Sequence, residues 1–146
     1  KFLAEANPNI NFDIYGPIPD DFEKKIGIVF SKIDNVHFKG AVDYDTVPDI
    51  MNQYKVGLLP LNNIDANKGR SPMKLWEYLS CGLKIVYSNI SHVGNIPGAY
   101  EYTDYDDMNS ALHQAYYEDK DMLESVTIIK SNAWSRKVKL LLDYVE

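Results

Sequence analysis

The sequence predicts an α/β protein with an open parallel sheet flanked by helices, and three observations support this prediction. Short apolar stretches alternate along the chain with longer stretches that carry apolar residues at helical spacing. This alternation of strands and helices indicates βαβ units and therefore parallel strands. Residues 55–61 form a continuous apolar run, which is typical of a strand that is covered on both faces.

The first third of the chain is predicted to hold two helices and two strands. Residues 1–6 are typical of the end of a helix, and an Asn-Pro-Asn turn follows them. Apolar and polar residues then alternate over residues 10–15, which predicts a strand. Apolar residues at helical spacing predict a helix over residues 21–31, and a short strand at residues 35–39 ends at Gly40.

The middle of the chain is predicted to form a helix, a buried strand and a loop. Apolar residues at helical spacing favour a helix over residues 44–54, with Asp45 or Thr46 as its cap. The strand at residues 55–61 follows, and the polar stretch at residues 62–70 is predicted to be a loop.

A loop, a short helix, a glycine stop and a strand are predicted over residues 69–88. Ser71 is expected to be the N-cap, because its hydroxyl can accept a hydrogen bond from a backbone N–H of the first turn. Pro72 suits the first helical position, where no N–H is needed. Gly82 suits the residue just past the helix, where a positive φ is favoured. A β-branched, apolar strand follows at residues 83–87.

The last third is predicted to be mainly helical. A weak strand at residues 99–103 is expected at the sheet edge, and Asp104 or Asp106 is expected to cap a helix over residues 107–117. One helix or two are predicted over residues 121–145.

The charges at the start of the helix after Ser71 indicate a site for an anion. A helix N-terminus favours negative charge, yet this one is preceded by Arg70 and carries Lys74 in its first turn. Backbone N–H groups and two cations together suit a phosphate. Glu77 lies on the same face as Lys74 and has the chemistry to accept hydrogen bonds from sugar hydroxyls. The alternative is a surface helix with a Lys74–Glu77 ion pair.

Composition limits the classes of function. At 146 residues, the chain is long enough for one domain with its own core. A net charge of −6 argues against general nucleic-acid binding, which requires a basic face. One cysteine, Cys81, excludes an internal disulfide, and its apolar neighbours indicate a small buried thiol.

No metal site is predicted. The three histidines are separated and have no paired cysteines, so they do not form a convincing zinc site; they are His37, His92 and His113. The acids at residues 43, 45 and 49 lack the glycine of a calcium loop, and helix capping explains them better.

Three motifs together resemble a known family. They are Asn-Val-His-Phe-Lys-Gly at residues 35–40, Lys-Val-Gly-Leu-Leu-Pro at residues 55–60, and Ser-Pro-Met-Lys-Leu-Trp-Glu-Tyr-Leu at residues 71–79. In this order and spacing they resemble the C-terminal, donor-binding half of GT-B-fold glycosyltransferases that build bacterial capsular and exopolysaccharides. The Trp-Ser-Arg-Lys-Val at residues 134–138 is similar to the end of that domain. The resemblance implies a Rossmann-like sheet.

The resemblance also implies a ligand and its binding residues. The domain would hold a nucleotide-diphosphate sugar, linked to uridine or guanosine, and would need no other cofactor. Ser71, Met73 and Lys74 would hold the diphosphate and Glu77 the ribose, while Gly40 and Val42 would lie near the base. Many relatives carry a further glutamate eight residues before the ribose-binding one. This sequence has Gly69 there, so the usual sugar contact is absent or is supplied by another residue.

By the same resemblance, the whole enzyme would transfer the sugar to a glycan or lipid-linked acceptor. Residues 1–146 are then expected to be the donor-binding domain without its first strand, and to be inactive alone. The N-terminal acceptor-binding domain is expected to be missing here. That domain would carry any catalytic base, and through it a cytoplasmic enzyme would sit on the inner face of the cell membrane. No catalytic residue is assigned.

Two alternatives stay open at this point. One is a nucleotide-sugar epimerase on the same fold, although such enzymes resemble residues 71–77 less well. The other is a non-catalytic, flavodoxin-like interaction domain.

Overall fold

The computed structural model describes residues 1–19, 21, 24, 30, 32–91, 93–119 and 123–145. In this part of the chain the protein is α/β, with parallel strands in two sheets and helices between them in sequence, which confirms the predicted fold class. The chain divides into two compact units, Lys1–Val47 and Pro48–Glu146, and each is described by itself.

The first unit contains a two-stranded parallel sheet. Helix α1 (Phe2–Ala6) precedes strand β1 (Phe12–Tyr15), which pairs with strand β2 (Val36–Gly40). A 3₁₀ turn at Tyr44–Thr46 follows β2. Most of the helix predicted over residues 21–31 lies outside the described residues; residues 21, 24 and 30 are helical.

A buried asparagine fastens the start of this unit. Asn35, which is 8% exposed, lies just before β2. The two hydrogens of its Nδ2 atom are shared among three carbonyl oxygens, those of Ala4 at 3.1 Å, Asn7 at 2.9 Å and Ile10 at 2.8 Å. Since buried carbonyl groups need donors, one side chain satisfies the end of α1 and the turn that follows it.

The second unit contains a three-stranded parallel sheet in the order β3-β4-β5. Its strands are β3 (Val56–Leu59), β4 (Lys84–Tyr87) and β5 (Ala99–Glu101). Its helices are α2 (Val47–Met51, whose first residue ends the first unit), α3 (Asp65–Lys68), α4 (Met73–Ser80), α5 (Tyr105–Tyr117), α6 (Leu123–Asn132) and α7 (Trp134–Val145). The predicted strand at residues 99–103 is β5, at the edge of this sheet as expected.

Helices cover both faces of the three-stranded sheet. Side chains alternate between faces along a strand, so Ile85 and Tyr87 of β4 share one face and Val86 lies on the other. Ile85 and Tyr87 pack with buried Leu75 and Leu79 of α4. Val86 instead packs with alanines of α5. Strand β4 is therefore buried on both faces, which is the environment that its apolar run predicts.

The end of α4 confirms the prediction that Gly82 follows the helix with a positive φ. Gly82 has a φ of +76°, and its N–H donates to the carbonyl of Leu79 at 3.0 Å. The N–H of Leu83 donates to the carbonyl of Tyr78 at 3.0 Å. This pair of bonds is a Schellman motif, which satisfies helix-end carbonyls and directs the chain into β4.

Two predicted helix caps are wrong. Pro72, not Ser71, is the N-cap of α4, and its carbonyl accepts a hydrogen bond from the N–H of Leu75 at 3.1 Å. Because Pro72 has an extended ψ of 126°, α4 begins one residue later than predicted. Near residue 44 the cap is Asp43, which precedes the 3₁₀ turn, and Asp45 and Thr46 lie inside that turn. The Asp43 carbonyl accepts hydrogen bonds from the backbone N–H of Thr46 at 3.0 Å and from the Thr46 hydroxyl at 2.7 Å.

Other boundaries differ less. The loop predicted at residues 62–70 contains the single turn α3, which is too short to show helical periodicity. Asp104 caps α5, accepting a hydrogen bond from the N–H of Asp107 at 2.9 Å. The stretch predicted as one helix or two forms α6 and α7.

Gly57 in β3 permits close packing of α4 on the sheet. A Cβ at this position would lie 2.7 Å from Cγ of Tyr78. We expect Gly57→Ala to lower the free energy of unfolding by about 1–3 kcal/mol, because the ring must move from a packed position. Chemical denaturation measures this change. Gly69→Ala is the control, since a Cβ there meets no described atom within 4 Å. Equal stability of the two variants would contradict the expectation.

Alkaline pH should destabilise the protein through Tyr87, which is 4% exposed. Burial, with a smaller contribution from Glu101, raises the pKa of Tyr87 to about 12. An unfolded tyrosine ionises near pH 10, so this contribution to stability is complete below about pH 10 and is lost between about pH 10 and 12. Thermal melts should therefore show a shallower decline over this range for Tyr87→Phe than for the natural protein. Parallel declines would count against the argument.

Candidate functional site

The candidate site lies at the start of α4, in the second unit. Strand β3 runs to Leu59, and the chain then passes through α3 before α4 begins at Met73. Because α4 packs on the sheet and leads into a parallel strand, its N-terminus lies toward the carboxyl ends of β3 and β4. Ligands of open α/β sheets bind at this edge.

Lys74 and Glu77 lie together on the exposed side of α4. The Lys74 Nζ atom is 2.6 Å from Glu77 Oε2, and the two side chains are 48% and 27% exposed. The ion pair that the alternative interpretation predicted is therefore formed. An exposed pair at this spacing contributes only about 0.2–0.5 kcal/mol, so a stronger anion can displace Glu77 from the lysine.

The opposite side of α4 belongs to the core, as predicted. Leu75 and Leu79 are each 2% exposed, and Trp76 packs against the same cluster. The packing of these side chains fixes the helix, and therefore fixes where its first turn points. Burial raises the pKa of the neighbouring Tyr78, and the nearby Lys74 charge lowers it in part.

The backbone at the start of α4 supplies hydrogen-bond donors. Leu75 makes the first hydrogen bond of the helix, to the Pro72 carbonyl. The N–H groups of residues 71, 73 and 74 precede that bond, and groups at this position are the ones that anions bind at helix starts. Ser71 is exposed and the Met73 side chain is 66% exposed, so the start of the helix is open to a ligand.

Arg70 is the second cation at the start of α4, and the sequence did not predict its contact with Asn67. Its Nη1 atom donates to Oδ1 of Asn67 at 3.3 Å, and its backbone N–H donates to the Asn67 carbonyl at 3.1 Å. Asn67 is 6% exposed. An asparagine in a polar loop is an ordinary observation, so the sequence contained no signal of this support.

Gly40 and Val42 lie in the first unit. Gly40 ends β2 with a φ of +73°, and its carbonyl accepts a hydrogen bond from the N–H of Gly16 at 2.8 Å. Val42 follows it and is 39% exposed. Their predicted role near a base stays a prediction.

The remaining candidates have ordinary surroundings. His37 is half-buried in β2, and His113 lies on α5 with its ring edge-on to Tyr117 at 5.7 Å. His92 is outside the described residues. Cys81 caps the end of α4 and is half-buried, so it is more accessible than predicted. Within the described ranges, no group of three or more histidine, cysteine or acidic residues could hold a metal ion.

The described helices include none with the length and apolar character needed to cross a membrane.

These features define the class: a parallel α/β protein whose open helix start, with cations beside it, lies at the carboxyl edge of the sheet. The chain belongs to the glycosyl transferase-like family, whose model matches residues 1–139. This match confirms the resemblance to glycosyltransferases.

A curated relative is similar over part of the chain. It is the putative teichuronic acid biosynthesis glycosyltransferase TuaH of Bacillus subtilis (strain 168), which is 30% identical over 77 residues. The match covers 51% of this chain and 19% of that protein, so it spans about a fifth of the relative's length.

Proposed function

We propose that this chain is the donor-binding domain of a glycosyltransferase and that it holds a nucleotide-diphosphate sugar at the start of α4. The observation that carries the proposal is the position of Lys74, a cation in the first turn of a helix at the ligand-binding edge of the sheet. Membership of the glycosyl transferase-like family supports the reaction class. It also favours glycosyl transfer over an epimerase or an interaction domain.

In this proposal the diphosphate replaces Glu77 as the partner of Lys74. Backbone N–H groups of Ser71 and Met73 donate to the phosphate oxygens, and Arg70 adds a second positive charge. Released from the ion pair, the Glu77 carboxylate accepts hydrogen bonds from the ribose hydroxyls. The exposed ion pair of the unliganded protein is then a resting arrangement, and the donor separates its two members.

The same groups would assist the reaction. When the bond between the sugar and the diphosphate breaks, negative charge develops on the departing diphosphate. In this proposal Lys74, Arg70 and the positive end of α4 stabilise that charge, and such stabilisation is often a large contribution in catalysis. A glycan or lipid-linked acceptor is proposed for the whole enzyme. The similar protein TuaH is named for teichuronic acid biosynthesis, which supports a polysaccharide context.

Binding of nucleotides tests the proposal directly. We expect uridine diphosphate or guanosine diphosphate to bind weakly, at roughly millimolar concentration or below, in ligand-observed NMR or calorimetry. The matching nucleoside should bind at least about tenfold more weakly, because it lacks the charged groups that Lys74 and the helix start recognise. Absence of binding by both diphosphates at millimolar concentration would refute the donor-binding role, and equal binding of nucleoside and diphosphate would refute the assigned site.

A further inference from the structure

We infer that Asn67 is a positioning residue, which orients Arg70 toward the diphosphate before the donor arrives. The inference rests on the proposed function and deepens it. It starts from the loop between β3 and α4, which the structure fastens at both ends by buried or half-buried polar side chains.

The strand end of the loop is held by the two residues that directly follow β4. The Ser88 hydroxyl, on a residue that is 3% exposed, accepts a hydrogen bond from the N–H of Leu61 at 3.2 Å and donates to the Leu61 carbonyl at 3.0 Å. The Asn89 side chain donates to that same carbonyl. Asn89 has a φ of +57°, the left-handed conformation that asparagine tolerates better than most residues. The path of the chain after Leu61 is therefore fixed.

The helix end of the loop is fastened by Asn67. Its Nδ2 atom donates to the carbonyl of Asn62 at 2.8 Å. Asn62 directly follows Leu61, the residue that Ser88 and Asn89 contact. An amide with its nitrogen held in this way must point its oxygen in the other direction. That oxygen accepts the hydrogen bond from Arg70 Nη1. The contacts thus run from the residues just after β4, through the loop, to the guanidinium group of Arg70.

The hydrogen bond from Arg70 to Asn67 raises the affinity for the diphosphate by reducing the entropy that the arginine side chain loses on binding. An arginine side chain has many rotamers, and holding one of them on binding opposes association. Asn67 offers the guanidinium a neutral acceptor, so it restrains Arg70 without neutralising its charge. A carboxylate in the same place would compete with the diphosphate for the arginine. A buried asparagine is therefore well suited to present a cation to an anionic ligand.

A double-mutant cycle tests the inference. The proteins are the natural chain, Asn67→Ala, Arg70→Gln and the double variant, each titrated with uridine diphosphate and guanosine diphosphate. We expect Asn67→Ala to weaken diphosphate binding about three- to tenfold when Arg70 is present, and less than about twofold in the Arg70→Gln background. Such non-additivity shows that Asn67 acts through Arg70. A merely structural role predicts the same loss in both backgrounds, and that result would overturn the inference while leaving the donor site intact.

A second measurement needs no change at Asn67. In the natural protein, the side-chain amide NMR signals of Asn67 should shift when the diphosphate is added and should not shift with the nucleoside. The diphosphate-induced shift should disappear in Arg70→Gln. Unchanged Asn67 signals at saturating diphosphate would overturn this inference but not the proposed function. If neither diphosphate binds the natural protein, the proposed function and this inference both fail.

Discussion

Replacing Lys74 by glutamine is expected to weaken binding of uridine or guanosine diphosphate by roughly 10- to 150-fold. A hydrogen bond that involves a charged group contributes about 1.5–3 kcal/mol, and this range converts to that loss of affinity. Glutamine keeps much of the length of the side chain and removes its charge. Calorimetry of both proteins with the two nucleotides measures the effect.

The unliganded Lys74→Gln protein should be almost as stable as the natural one. The exposed pair with Glu77 contributes about 0.2–0.5 kcal/mol, and its loss is offset because a cation in the first turn of a helix opposes the helix dipole by about 0.3–1 kcal/mol. Thermal melts without nucleotide should therefore nearly coincide, while the stabilisation by added diphosphate shrinks with affinity.

The control is Lys139→Gln, which removes an exposed lysine charge from α7. It should leave nucleotide binding unchanged. The opposite pattern for Lys74→Gln, a lower melting temperature without ligand and an unchanged nucleotide effect, would mean that Lys74 serves the fold and not the site.

Asn35→Asp should destabilise the first unit by roughly 3 kcal/mol or more. The natural amide donates to three carbonyl oxygens, and an ionised carboxylate of the same shape has no hydrogen to donate. Carbonyl oxygens would lose their donor, and a buried negative charge would face them. Chemical denaturation measures the loss, and amide hydrogen exchange in β1 and β2 should locate it in this unit.

Asn95→Asp makes the same chemical change at an exposed loop position. Its effect should stay within about 0.5 kcal/mol. If Asn35→Asp were equally mild, the three hydrogen bonds of Asn35 would not be holding the start of the first unit together.

The sequence alone determined what depends on near neighbours in the chain. Helix and strand types follow from periodicity, and the positive φ of Gly82 follows from the chemistry of a helix end. Lys74 and Glu77 meet because residues three apart share a helix face. The ordered motifs also led to the glycosyltransferase resemblance that the family match confirms. The candidate site could be predicted since most of its residues are consecutive or one helical turn apart.

The tertiary structure decided what depends on distant partners. Asn35 finds acceptors 25 to 31 residues away, and Leu61 finds Ser88 27 residues away. The ring of Tyr78 fills the space that Gly57 leaves open. Local pattern does not encode such pairs, because the same polar residue or glycine suits any turn until packing brings a particular partner to it. For the same reason the contacts that fix the loop before α4 could not be predicted, since Leu61 meets Ser88 and Asn89 only when β3 and β4 pair in the sheet.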